Sequence, residues 1–147
     1  MQQQRQDPNC IFCKIVAGKV PARIVVQDER VMAFLDAFPL AAGHTLVVPK
    51  THYVKVQEMD DADSGAVFGL VRNLAGVVES AAGANASTIA VHNDREAGQE
   101  VPHVHVHIIP RKPGDGAGPV HSMFHKRPKL SPQEMDAILE RMLASLK

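Results

Sequence analysis

Short runs of alternating apolar and polar positions fill both halves of the chain, and one long helical period separates them. Residues 24–27 and 31–35 are rich in β-branched and large apolar side chains, with Asp28, Glu29 and Arg30 between them, which predicts two strands joined by a turn. Residues 45–49, 87–92 and 103–109 read as three further strands. Residues 10–17 fit a short helix closed by Gly18. Between the third and fourth strands, Val67, Leu70, Val71, Leu74, Val77, Val78 and Ala81 recur at i, i+3, i+4, i+7. That spacing predicts a long helix capped at Asp60 or Asp63 and ended by Gly83. Gly69 and Gly76 lower its helix propensity, which predicts close packing against a neighbour. Ser131, Pro132, Gln133 and Glu134 form a capping box with proline at the first helical position. The helix it starts carries the stripe Met135, Ile138, Leu139, Met142, Leu143 and Leu146. The expected fold is α+β: a five-stranded antiparallel sheet with a short N-terminal helix, a long helix and a C-terminal tail helix.

Composition narrows the class. A chain of 147 residues fits one domain with a real core. Sixteen basic and sixteen acidic residues cancel, so no bulk field selects nucleic acid or a membrane surface. Residues 1–8 are polar and read as a flexible arm, without a signal peptide or an apolar run that would span a membrane. Two cysteines three residues apart build no disulfide framework, so a cytoplasmic location is the default expectation.

The chemistry concentrates in residues 101–110. His103, His105 and His107 alternate with Val104, Val106 and Ile108. On a strand the three imidazoles share one face, neighbours about 6.6 Å apart, while the valines and isoleucine face a core. Three readings compete: a three-histidine metal site, catalysis with one imidazole as nucleophile or base, and a solvated histidine-rich face. The loop ahead of it favours an anionic ligand. Asn93 offers a donor and an acceptor, Gly98 allows close backbone approach, and Gln99 can donate an amide N–H. The pair Cys10 and Cys13 leaves zinc, redox and buried-thiol readings open, although the βαβ setting of a redox pair is missing.

Taken together, Asn93, the run Ala97-Gly98-Gln99 and the run from His103 to Arg111 resemble the signature of the histidine triad (HIT) family of nucleotide hydrolases and transferases. Cys10 to Gly18, Phe34-Leu35-Asp36, and Gly43 to His52 are similar to the family in the same order. The resemblance covers about residues 9–111, leaving 112–147 as an extension like that of some bacterial members. It implies a homodimer of HIT-like subunits acting on a purine nucleotide, with no nucleic acid or membrane partner. It implies His105 as nucleophile on the α-phosphorus, with His107 and Gln99 assisting at the phosphate. Phe12, Ile15 and Phe34 correspond to a base pocket, Asp36 to the ribose ligand, and Asn93, Gly98, Gln99 and His107 to ribose or phosphate contacts. Cys10, Cys13, His52 and His103 correspond to a structural zinc site in members that keep both cysteines, with no catalytic metal required. Glu100 departs from the pattern, standing where one branch has Ser or Thr. Two other classes remain beside this one: a non-catalytic nucleotide-binding scaffold, and a metallohydrolase holding one ion on His103, His105 and His107.

Overall fold

The computed structural model describes residues 5–146. Helix α1 (Ile11–Val16) starts where the Cys13 N–H donates to Cys10 Sγ at 3.4 Å. It ends before Gly18, whose φ of +76° lies in the left-handed region that glycine adopts without strain. Strands β1 (Ile24–Gln27) and β2 (Val31–Leu35) form the expected hairpin. Its turn is held by Asp28 Oδ1, which accepts the N–H groups of Arg30 at 2.7 Å and Val31 at 3.0 Å. Then come β3 (Thr45–Pro49), α2 (Asp61–Ala81), β4 (Ala86–Ala90) and β5 (Val106–Arg111). Asp60 caps α2 by accepting the Asp63 N–H at 2.7 Å.

The five strands form one antiparallel sheet in the order β1-β2-β3-β5-β4. The fold is thus the α+β architecture expected, and the return of β5 between β3 and β4 puts the histidine strand inside the sheet. Alternation along β2 and β3 serves two layers. Val31, Ala33 and Val47 face α2, where they pack with Val67, Val71, Leu74 and Val78. Met32, Phe34, Leu46 and Val48 face α1, against Phe12, Cys13 and Ile15. Each α2 valine or leucine buried this way contributes about 1.5–3 kcal/mol over leaving it exposed.

Four expectations need correcting. The fifth strand starts at Val106 and not at His103, and the fourth ends at Ala90 and not at His92. The N–H groups of His103 and Val104 go to the carbonyls of Val101 (2.8 Å) and Tyr53 (2.7 Å), which takes this stretch out of the sheet ladder. Gly69 and Gly76 face open space, with nothing within 4 Å of a Cβ placed there. Residues 5 and 6 of the expected arm are hydrogen-bonded to the 50–52 segment, and Asp7 to Cys10 and Cys13; residues 1–4 lie outside the described residues.

The chain divides into two compact units between Asp115 and Gly116, rather than after Arg111. The turn after β5 belongs to the first unit. Asp115 Oδ2 accepts from Arg111 Nε at 2.7 Å and from the Lys112 N–H at 3.1 Å, while Arg111 Nη1 donates to Thr88 Oγ1 at 3.0 Å. The second unit has one 3-10 turn (Val120–Met123) and helix α3 (Pro132–Ser145), capped by Ser131 Oγ accepting the Glu134 N–H. Along the α3 stripe, Met135, Leu139, Met142, Leu143 and Leu146 are all exposed.

Candidate functional site

The approach to β5 carries three histidines past the N-terminus of α1, and each meets a different environment. His103 is fully buried and His105 nearly so. Both rings meet Phe12 edge-on, with centroids 5.9 and 5.0 Å away. His107 lies within β5, opposite Leu46 of β3.

His103 turns its Nδ1 towards the two cysteines. This nitrogen is 3.4 Å from Cys10 Sγ, 3.6 Å from Cys13 Sγ and 3.2 Å from His52 Nδ1; Cys13 Sγ is 3.3 Å from His52 Nδ1. A tetrahedral ion with Zn–S of about 2.3 Å and Zn–N of about 2.0–2.1 Å has N···N edges of about 3.3 Å and S···N edges of about 3.6 Å. The four groups therefore fit such an ion. The other nitrogen of His103 donates to the Pro49 carbonyl at 2.8 Å, leaving Nδ1 as a lone pair for a metal. Burial drives His103 down to about 4 and the Cys13 thiol up to about 11. A buried thiol that resists ionisation is stabilised as a thiolate by a bound cation.

His105 spends its Nδ1–H on the His103 carbonyl, at 2.7 Å. Its Nε2 is then the lone pair, and burial holds the ring below the usual histidine range, so it is neutral at pH 7. His107 is set by a relay across the sheet. The Leu40 N–H donates to His44 Nδ1 at 3.0 Å, so His44 carries its proton on Nε2. His44 Nε2 donates to His107 Nδ1 at 2.9 Å, so His107 carries its proton on Nε2. That Nε2–H is buried and has no hydrogen-bond partner among the described residues. Burial, reinforced by the neighbouring histidines, lowers His107 to about 4.

Asp36, His44 and His107 also lie close enough together to hold an ion. The relay argues against one: a metal on His44 Nε2 would need an imidazole stripped of both protons, since Nδ1 already accepts a backbone N–H. The three triad histidines do not converge either, because His103 faces the cysteines and His107 faces His44.

His105 and His107 open onto a cavity of about 410 Å³. Phe12, Ile15 and Phe34 line it, as do Asp36 and Gly98. Phe12 and Phe34 meet edge-to-face at 5.5 Å. Asp36 Oδ1 accepts the Phe38 N–H at 2.9 Å, and its Oδ2 lies 3.6 Å from His44 Nε2. Two expected residues are engaged elsewhere. Gln99 is buried with its amide donating to the Val54 carbonyl at 2.8 Å. Asn93 accepts the Val56 N–H at 2.8 Å and donates to Gln57 Oε1 at 3.0 Å. Neither lines the cavity.

The cavity also contains residues that sequence reasoning passed over. The sequence pattern assigns His44 no catalytic or binding role. The signal that would have found it is the β3–β5 register, which sets Leu46 opposite His107. His92 also carries no assigned role; its ring lies 5.5 Å from that of His107 and beside Gly98, where an added Cβ would meet it at 3.8 Å. Arg23 and Glu100 line the cavity too; nothing in the local sequence marks Arg23, while Glu100 stands out only as a departure from the family pattern.

Comparison with known proteins agrees with this geometry. A family profile described as "HIT domain" matches residues 17–114. The chain is 37% identical over 139 residues to adenosine 5'-monophosphoramidase hnt1 of Schizosaccharomyces pombe, covering 95% of this chain and 99% of that one. It is 40% identical over 141 residues to protein hit of Bacillus subtilis, covering 93% and 96%. Among solved structures, a Streptococcus mutans protein superposes with a TM-score of 0.87 at 32% identity, over 99% of this chain and 92% of that one. A zinc-bound histidine triad family protein of Mycobacterium smegmatis superposes with a TM-score of 0.69 at 28% identity, over 93% and 97%.

Proposed function

This chain belongs to the HIT family, and from that premise we propose that it is a hydrolase or transferase cleaving purine nucleotides at the α-phosphate through a covalent nucleotidyl-histidine. The observation that carries the reading is a lone pair on His105 Nε2 beside a buried, unpaired N–H on His107. His105 Nε2 bonds to the α-phosphorus, and the bond to the leaving group breaks with its electron pair on that group, which takes a proton from solvent if it is an amine. His107 donates its Nε2–H to a non-bridging oxygen whose negative charge grows as the bond forms, and the Gly98 backbone borders the same space. Water then attacks phosphorus and gives up a proton to solvent, the electron pair of the P–N bond returns to Nε2, and the nucleoside monophosphate leaves. Phe12, Ile15 and Phe34 hold the base, and Asp36 accepts from the ribose hydroxyls. Gln99 acts through the backbone it braces.

A structural zinc on Cys10, Cys13, His52 and His103 is part of the reading, supported by the tetrahedral edges of the cluster and by the zinc-bound relative. Zinc bound there ties together three segments distant in sequence and supplies no step of the reaction. The reading includes a cytoplasmic setting, where both free cysteines stay reduced. Among the described residues no helix is long and apolar enough to cross a membrane. It also includes a homodimer. Strand β4 is a sheet edge with Ile89 exposed, and α2 turns Phe68, Val77 and the unfilled Gly69 and Gly76 outward. Light scattering should give twice the chain mass.

The test is incubation with an adenosine phosphoramidate, following AMP release and the intact protein mass, with His105→Ala alongside. AMP release with a transient nucleotidyl adduct, both lost in the variant, is the expected result. Full turnover by His105→Ala overturns the nucleophile, and nucleotide binding without turnover by the native protein replaces the enzyme with a nucleotide sensor.

A further inference from the structure

Arg5, Gln6 and Asp7 precede α1 and lie against the proposed metal centre. The His52 N–H donates to the Arg5 carbonyl at 2.7 Å, and Arg5 Nε donates back to the His52 carbonyl at 3.0 Å. The Arg5 guanidinium covers the Tyr53 ring at 5.4 Å, and Gln6 Nε2 donates to the Lys50 carbonyl at 2.9 Å. Asp7 is where this clasp reaches the ligands. Its N–H donates to Cys13 Sγ at 3.4 Å, and its carbonyl accepts the Cys10 N–H at 3.1 Å. Its carboxylate lies 4.0 Å from His52 Nε2, the ring nitrogen not turned to the centre.

We propose that Asp7 is a positioning residue of the metal centre, holding the Cys13 sulfur through its N–H and the His52 imidazole through its carboxylate, so that docking of residues 5–7 and metal affinity are coupled. The proposal rests on the zinc reading of the four-residue cluster. Each contact has a physical reason. An N–H directed at a ligating sulfur stabilises its thiolate, and a carboxylate 4.0 Å from the second nitrogen of a ligating histidine, beyond direct hydrogen-bond distance, still attracts the N–H that ligation through Nδ1 leaves there. Coupling of this kind is reciprocal: what the clasp adds to metal affinity, the metal adds to clasp stability. The carbonyl of His103 orients His105, so the clasp reaches the reaction through the scaffold without touching substrate.

The variant Asp7→Asn isolates the charge. It keeps the backbone N–H, and it keeps the side-chain oxygen that accepts the Asn9 N–H at 2.9 Å. Outer-shell partners are worth about 10- to 100-fold in metal affinity. The Asp7 side chain is 42% exposed, which places the expected loss near the lower end, at roughly tenfold. Zinc content of the purified native protein is measured first, then zinc Kd by competition with a chromophoric chelator for native, Asp7→Asn and Asp7→Glu. Asp7→Asn should raise the Kd roughly tenfold and Asp7→Glu should recover part of it. The thiolate-to-metal absorption of the cobalt forms should show both cysteines still bound. Hydrogen exchange at the His52 amide should speed up when zinc is removed. An unchanged Kd in Asp7→Asn, or equal His52 exchange with and without zinc, overturns the proposal and leaves the zinc reading standing. A native protein that binds no zinc overturns both.

Discussion

His103 and His107 are the same residue type, four positions apart, both driven down to about 4 by burial. They differ in what their nitrogens meet. His103 commits one nitrogen to the Pro49 carbonyl and points the other at Cys10, Cys13 and His52. His107 commits one nitrogen to His44 and leaves the other N–H buried, with no partner among the described residues. A buried donor left unpaired costs about 1–3 kcal/mol, a cost that a ligand oxygen would relieve. Accounting for each proton thus separates a scaffold histidine from a ligand-facing one where spacing alone cannot. His105, between them, belongs to both regions, since its tautomer is set by the His103 carbonyl and its free nitrogen opens on the cavity.

The comparison breaks most decisively by exchanging the damage. His103→Ala should lose zinc and lower Tm by about 10 °C or more, since several kcal/mol of metal binding and packing go together. His107→Ala should keep its zinc content and come within a few degrees of the native Tm, while kcat falls about 10²- to 10³-fold, the usual loss of one preorganised donor. Thermal melts with metal analysis, run beside AMP-release kinetics, read both. If His107→Ala also released zinc, the two regions would be one.

How much of this division was legible in the chain varied with the range of the interactions. The strands at 31–35 and 45–49 stand where alternation put them, because each packs side chains of opposite parity on two layers; the strand at 24–27, exposed along its length, was legible from the turn that Asp28 holds. The capping residues Asp60 and Ser131 were legible because a cap bonds within its own turn. The strand start at His103 was misread because Val104 bonds to Tyr53, fifty-one positions away, rather than to a strand partner. Gln99 has the chemistry of a phosphate donor, yet the part-buried Val54 carbonyl claims its amide. His44 and His107 meet only through the β3–β5 register, and residues 5–7 dock through contacts more than forty positions away. The α3 stripe shows the opposite case: its period was legible, but a period does not name what covers it.

A smaller change should sharpen the relay that distinguishes His107. His44→Phe removes both relay bonds and retains a ring of similar size, so Nδ1 of His107 loses its donor. The Nε2–H tautomer is then no longer enforced, and part of the population presents a lone pair to the phosphate. A kcat loss of roughly tenfold is expected, about 1.4 kcal/mol of transition-state stabilisation. Nitrogen-15 NMR of the imidazoles should find a single Nε2–H form of His107 in the native protein and a mixture in the variant. A single unchanged tautomer in His44→Phe would remove the relay from the account.

An effect of similar size concerns acid. Folding holds His107 at about 4 against an ordinary value of 6.5. Above pH 6.5 neither the folded nor the unfolded chain protonates this group, and it costs nothing. As pH falls from 6.5 towards 4, the unfolded chain takes up a proton that the folded chain refuses, so stability is lost across that window and the loss levels off below 4. Burial of His44 and His105 lowers their values as well, adding loss of the same sign. Allowing for water at the cavity mouth, His107 alone accounts for about 1–2 kcal/mol. Urea unfolding of native protein and His107→Asn at pH 7 and pH 5 isolates it, because the substitution deletes this titration and leaves the others. The native protein should lose more stability than the variant between the two pH values. Equal losses would mean that the cavity is wet enough to leave His107 at its ordinary value, and the unpaired N–H would then be solvated rather than held ready for a ligand.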